Sequence, residues 1–75
     1  MTVMVTTGSW ARRFGVESPL ELNLPEGATV QDLLSRLDLP MEEIGLVSMG
    51  DRAIAREAVL LDGDCVRVFP LVIGG

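Results

Sequence analysis

The stretch Leu20 Glu21 Leu22 Asn23 Leu24 Pro25 Glu26 Gly27 Ala28 Thr29 Val30 Gln31 Asp32 Leu33 Leu34 Ser35 Arg36 Leu37 changes its hydrophobic period partway through. Leu20, Leu22 and Leu24 alternate with Glu21 and Asn23, the period of two that a strand with one buried face requires. Pro25 Glu26 Gly27 is a turn. Thr29 then stands where a helix N-cap belongs, with Asp32 three residues on, in the first turn, where the helix dipole favours an acid. Val30, Leu33, Leu34 and Leu37 follow at i, i+3, i+4 and i+7, so they share one side of a helix. The helix should end near Asp38, because Pro40 disfavours helical geometry at Leu39. As the one such stripe in the chain, it reads as the cover of a core rather than as a seat for a partner helix.

Toward the N-terminus, Thr2 to Thr7 alternates Val3 and Val5 with Met4 and Thr6, a first strand. Gly8 interrupts it. Ser9 to Gly15 predicts one helical turn or a structured loop, with Ser9 as cap, Gly15 as stop, and Trp10 and Phe14 spaced to pack the loop onto the core. Toward the C-terminus, Pro40 to Ile44 reads as a short helical connector with proline at its first position. Leu46 to Met49 and Arg52 to Ala55, joined through Gly50 Asp51, read as a hairpin. Asp62 Gly63 Asp64 is a further turn, and Cys65 to Phe69 a last strand with Val66 and Val68 on one face. Cys65 falls on the other face with Arg67 and Phe69, where a lone cysteine is expected to pack rather than react.

The order strand, strand, helix, strand, strand, strand implies an α+β fold. A mixed sheet of four to five strands carries one main helix across one face. Residues 1–75 make one domain, with residues 71–75 as a tail. Should the first and last strands lie side by side and parallel at the centre, the tail leaves as a continuation of the last strand. Pro70 then ends the ladder by lacking an N–H.

The composition narrows the chemistry. Hydrophobic residues make up 48% of the 75-residue chain and only 4% are aromatic, so the core is aliphatic. The chain has no histidine and one cysteine, which excludes a histidine-based triad, a zinc cluster and an internal disulfide. The net charge of −5 repels a phosphate backbone, so no nucleic-acid partner is expected. Met1 to Val5 lacks a basic leader and a long apolar run; no membrane span is expected and a cytoplasmic setting fits best. All six basic residues are arginine, which leaves the N-terminus as the chain's only amine.

Gly74 and Gly75 close the sequence after Phe69 Pro70 Leu71 Val72 Ile73. Glycine has no Cβ to clash and accepts φ of either sign, so a tip of this kind can be threaded into another protein's active site. Five residues beyond Pro70 reach at most about 16 to 18 Å.

The segments Leu24 Pro25 Glu26 Gly27 Ala28 Thr29 Val30, Leu61 Asp62 Gly63 Asp64, and Val68 Phe69 Pro70 with the terminal Gly74 Gly75, taken in this order, resemble the ubiquitin-like β-grasp sulfur carriers. That family includes the molybdopterin synthase small subunit and the thiamine-pathway sulfur carrier. The resemblance implies that the Gly75 carboxylate is adenylated by a ubiquitin-activating-type enzyme that uses ATP. A persulfide sulfur donor then converts it to a thiocarboxylate, which gives up its sulfur in cofactor synthesis. Gly74 would pass the narrow channel, and Phe69, Pro70, Leu71, Val72 and Ile73 would meet the partner, a molybdopterin synthase large subunit or a thiazole synthase. The resemblance implies no permanently bound cofactor and no metal. The long Gly8 to Ser18 connection is more like the molybdopterin branch, and the short link through Pro40 Met41 Glu42 Glu43 more like the thiamine branch. The first of these is the leading expectation; a carrier for thiamine thiazole or tRNA thiolation, and a binding module or protein modifier without sulfur chemistry, are the alternatives.

Overall fold

The computed structural model describes residues 1–72. β1 (Thr2–Thr6) is followed by a 3-10 helix (Ser9–Phe14), β2 (Leu20–Asn23), α1 (Val30–Arg36), a 3-10 turn (Met41–Glu43), β3 (Ile44–Met49), β4 (Arg52–Ala53) and β5 (Cys65–Pro70). The strands form one five-stranded mixed sheet in the order β2-β1-β5-β3-β4. β1 and β5 run parallel at the centre, with Val5 beside Val66, and the other neighbours are antiparallel.

The period-two residues become one wall of the core. Val3, Val5, Val66 and Val68 are essentially inaccessible to water, and so are Val30, Leu33 and Leu34 of the helix laid over them. Ala11, Val16, Leu24, Ala28, Leu37, Leu39, Ile44, Val47 and Leu60 complete the cluster. α1 begins where Thr29 and Asp32 place it. The Thr29 hydroxyl accepts from the Asp32 N–H at 3.3 Å, and the Asp32 carboxylate accepts from the Thr29 N–H at 2.9 Å, a reciprocal capping box. The helix stops at Arg36, two residues before the expected Asp38, and Leu37 is already extended. Its short length makes packing rather than propensity the source of its stability.

Several boundaries differ from the sequence reading. Gly8, not Ser9, is the N-cap of the first 3-10 helix, and no side chain caps it; Gly15 closes it with φ 82°. Trp10 and Phe14 do pack against the core, and Ala11 between them is fully buried. The Ser18 hydroxyl closes the loop by donating to the Thr7 carbonyl and accepting from the Thr7 N–H, at 3.1 and 3.0 Å. Pro40 sits one position before the second 3-10 turn rather than inside it. β3 starts at Ile44, two residues earlier than expected, and β4 is confined to two residues. Among the described residues no helix is long and apolar enough to cross a membrane.

Candidate functional site at the end of the last strand

β5 is fixed from below before it becomes a site. The Asp62 Gly63 Asp64 turn, with Gly63 at φ 87°, is tied to β1: the Thr2 N–H donates to Asp62 Oδ1 at 2.7 Å and the Gly63 N–H to the Thr2 carbonyl at 2.8 Å. The Asp64 side chain accepts from the Leu61 N–H at 2.8 Å, and its carbonyl accepts from the Met4 N–H at 2.9 Å. These bonds set the register in which Met4 faces Cys65 and Thr6 faces Arg67. From there Val66 and Val68 point into the core, while Cys65, Arg67 and Phe69 point to the open face.

At Thr7 the first strand departs, and β5 continues with β3 alone on its flank. The pairing there is irregular. Val47 faces Val68 and Ile44 faces Pro70, so Gly45 and Leu46 together stand against the single residue Phe69, a bulge. Pro70 is the last paired residue of β5, where the ladder was expected to end, and the backbone bond that closes its pairing with Ile44 runs from the Leu71 N–H to the Glu43 carbonyl at 2.8 Å. The strand ends at Pro70 as the sequence predicts, and the closing donor is the N–H of the next residue, since Pro70 has none.

The exposure of the predicted partner residues dips at Pro70 and then rises to Val72. Phe69 is 37% exposed, Pro70 partly buried, Leu71 46% and Val72 83% exposed. Leu46 and Met41 add apolar surface on the β3 side of the exit. The Arg67 guanidinium lies 5.9 Å from the centroid of the Phe69 ring, within cation–π range. Thr7, Gly8, Trp10, Arg67, Val68, Phe69 and Pro70 line a cavity of about 190 Å³ on the other side. Thr7 Oγ1 and Trp10 Nε1 are buried without a hydrogen-bond partner. Sequence reasoning missed Leu46, Gly45 and the Glu43 carbonyl at this exit. Ile73, Gly74 and Gly75 lie outside the described residues.

Cys65 does not pack as expected. It is exposed, on the open face of the sheet, because the period of two that buries Val66 turns its neighbour outward. Among the described residues no group of three or more His, Cys, Asp or Glu side chains is placed to hold a metal ion. The one ion pair among them joins Arg13 to Glu43 at 3.3 Å, on the surface near the exit of the tail. The chemistry this arrangement offers is presentation: an apolar, progressively exposed strand end on a fixed root.

Comparison with known proteins gives a consistent result. The model of the family described as "ThiS family" matches residues 11–75. A crystal structure of SAMP1 from Haloferax volcanii has a TM-score of 0.79 at 22% identity, covering 100% of both chains. A putative molybdopterin converting factor, subunit 1, from Pyrococcus furiosus has a TM-score of 0.75 at 27% identity, over 96% of this chain and 99% of that one. A second crystal structure, of the H. volcanii small archaeal modifier protein 1, has a TM-score of 0.76 at 17% identity, over 95% and 98%. No curated protein sequence matches significantly. The fold expected from the sequence, a β-grasp sheet with one helix across it, is the fold these structures share.

Proposed function

The chain belongs to the ThiS family of ubiquitin-like β-grasp sulfur carriers, and from that premise we propose that it carries sulfur as a thiocarboxylate on Gly75. The observation that carries this reading is the exit of β5. Its root is bound on both sides, its end is apolar and exposed, and the sequence continues into Gly74 Gly75.

An α-carboxylate has an ordinary pKa of about 3.3 to 3.7 and is ionised at neutral pH. In the proposed sequence one of its oxygens attacks the α-phosphorus of ATP on a ubiquitin-activating-type partner, and pyrophosphate leaves. The terminal sulfur of a persulfide donor then attacks the acyl carbon and displaces AMP, forming an acyl disulfide. A thiol cleaves that disulfide, taking the donor sulfur into a new disulfide and releasing the thiocarboxylate. The carrier contributes no acid or base to these steps; it contributes reach and orientation, which convert an encounter into a positioned reaction. Leu71, Val72 and Ile73 are proposed to enter the partner by strand addition or in an apolar groove, with Phe69 and Pro70 at its mouth.

The 27% identity to the Pyrococcus protein, spread over nearly all of both chains, favours molybdopterin synthesis as the destination of the sulfur, with this chain as the small subunit of the synthase. A carrier for thiazole synthesis is the second reading, favoured by the three-residue Met41–Glu43 connection before β3. The test is mass spectrometry of the chain co-expressed with an adenylating enzyme and a persulfide source. A gain of about 16 Da at Gly75, sulfur for oxygen, is expected; its absence sinks the reading. The large subunit or thiazole synthase that co-purifies with the intact tail separates the two destinations.

A further inference from the structure

Gly45 differs from the other glycines of the strands and turns. Gly15, Gly27, Gly50 and Gly63 have positive φ and nothing within 4 Å of the place a Cβ would occupy; their role is conformational. Gly45 has no such φ. A Cβ there would stand 2.7 Å from the Pro70 carbonyl oxygen, 3.0 Å from Leu71 Cα and 3.1 Å from Leu71 N. All three are backbone atoms, so no side chain can rotate away to make room. The same two residues are held by the Ile44 pairing and by the bond from the Leu71 N–H to the Glu43 carbonyl.

The geometry points to Gly45 as the positioning residue of the tail. Its bare Cα lets Pro70 and Leu71 lie flat against the bulge, and the Glu43 carbonyl closes the clamp over them. Glu43 is itself tethered, at the end of the 3-10 turn and through its side chain to Arg13. The consequence is a shorter ruler than the sequence suggests. The last tether lies at Leu71 rather than at Pro70, so four residues, Val72 to Gly75, follow it, and their reach is at most about 13 to 14 Å. A partner whose reaction centre lies deeper than that below its mouth is out of range, and Leu71 leaves the body in one direction. That this direction serves delivery of the Gly75 carboxylate rests on the sulfur-carrier reading above.

Amide exchange and heteronuclear NOE on the full chain test the clamp without any partner. In the native chain the Leu71 amide should exchange at least about tenfold more slowly than that of Val72. Gly45→Ala should bring Leu71 to within about twofold of Val72, while the amides of Val5 and Val66 keep their protection. Leu71→Pro removes the donor at an exposed position and leaves Gly45 intact; the NOE of Val72 should fall there too. A Leu71 amide that stays protected in Gly45→Ala, or a loss of protection spread over β3 and β5, overturns the clamp, the second outcome assigning Gly45 to the sheet instead. If Gly45→Ala does not fold, Leu71→Pro decides alone, and an unchanged Val72 NOE overturns the clamp. Co-expression with the adenylating enzyme and persulfide source then tests delivery: the native chain should gain 16 Da and Gly45→Ala at least about tenfold less of it. Equal yields overturn the role in delivery. No gain in either chain is the failure of the carrier reading, and the exchange data still decide the clamp.

Discussion

The two halves of β5 share one strand and differ in what surrounds them. From Cys65 to Val68 the strand lies between β1 and β3, with Val66 and Val68 buried against Val30, Leu33 and Leu34. From Phe69 to its end at Pro70, and on to Val72 beyond the strand, the chain has lost β1, keeps β3 through a bulge and the Ile44–Pro70 pair, adds one bond from Leu71 to Glu43, and turns apolar side chains to solvent. The first half is therefore held from both sides and the second from one side alone, by Glu43, Ile44 and Gly45. A tail that must enter another protein needs both conditions, since a loose root would spread its direction and a bound tip would not enter.

Val66→Asp is the harshest way to break this contrast. It places a carboxylate where no partner charge exists, at a cost of several kcal/mol. A domain of this size holds only about 4 to 11 kcal/mol. The variant should lack a cooperative thermal transition, and a native near-ultraviolet signal from Trp10 would contradict the importance given to the root. Leu33→Ala removes the helix residue packed over the central strands and should lower unfolding free energy by about 2 to 5 kcal/mol. The measurement is the urea midpoint at unchanged m-value. Thr29→Ala cuts the capping box and should lower it by about 1 kcal/mol. Val72→Asp sharpens the contrast from the other side. Denaturation should place it within about 0.5 kcal/mol of the native chain. Its gain of 16 Da on co-expression should fall, and a fully retained gain would remove Val72 from the partner contact.

What was legible in the sequence is what local periodicity encodes. Leu20 to Leu24, Val30 to Leu37 and Cys65 to Phe69 were each readable because one face of each is buried and the spacing records it. The parallel pairing of β1 with β5 enters the sequence reading only as a condition, because the order of elements does not fix which strands are neighbours; the structure shows the pair at the centre. β3 was read two residues short because the bulge brings Ile44 and Val47 to the same side at a spacing of three, which belongs to neither period. The role of Gly45 was invisible for a different reason. It depends on Pro70 and Leu71, distant in sequence, and no local pattern marks a glycine whose only task is to make room. Cys65 was misjudged by residue type, since position in the strand outweighs the average preference of cysteine for the interior.

The central parallel pair has a mechanical side. Force applied through the tail runs along the axis of β5, while the hydrogen bonds that join β5 to β1 and β3 lie across that axis. They are strained together, as a lap joint is, and not peeled one after another. A machine that pulls this protein by its tail would first have to overcome the Leu71 bond, and then the whole ladder at once; the rate of forced unfolding, rather than equilibrium stability, would decide how long the body resists.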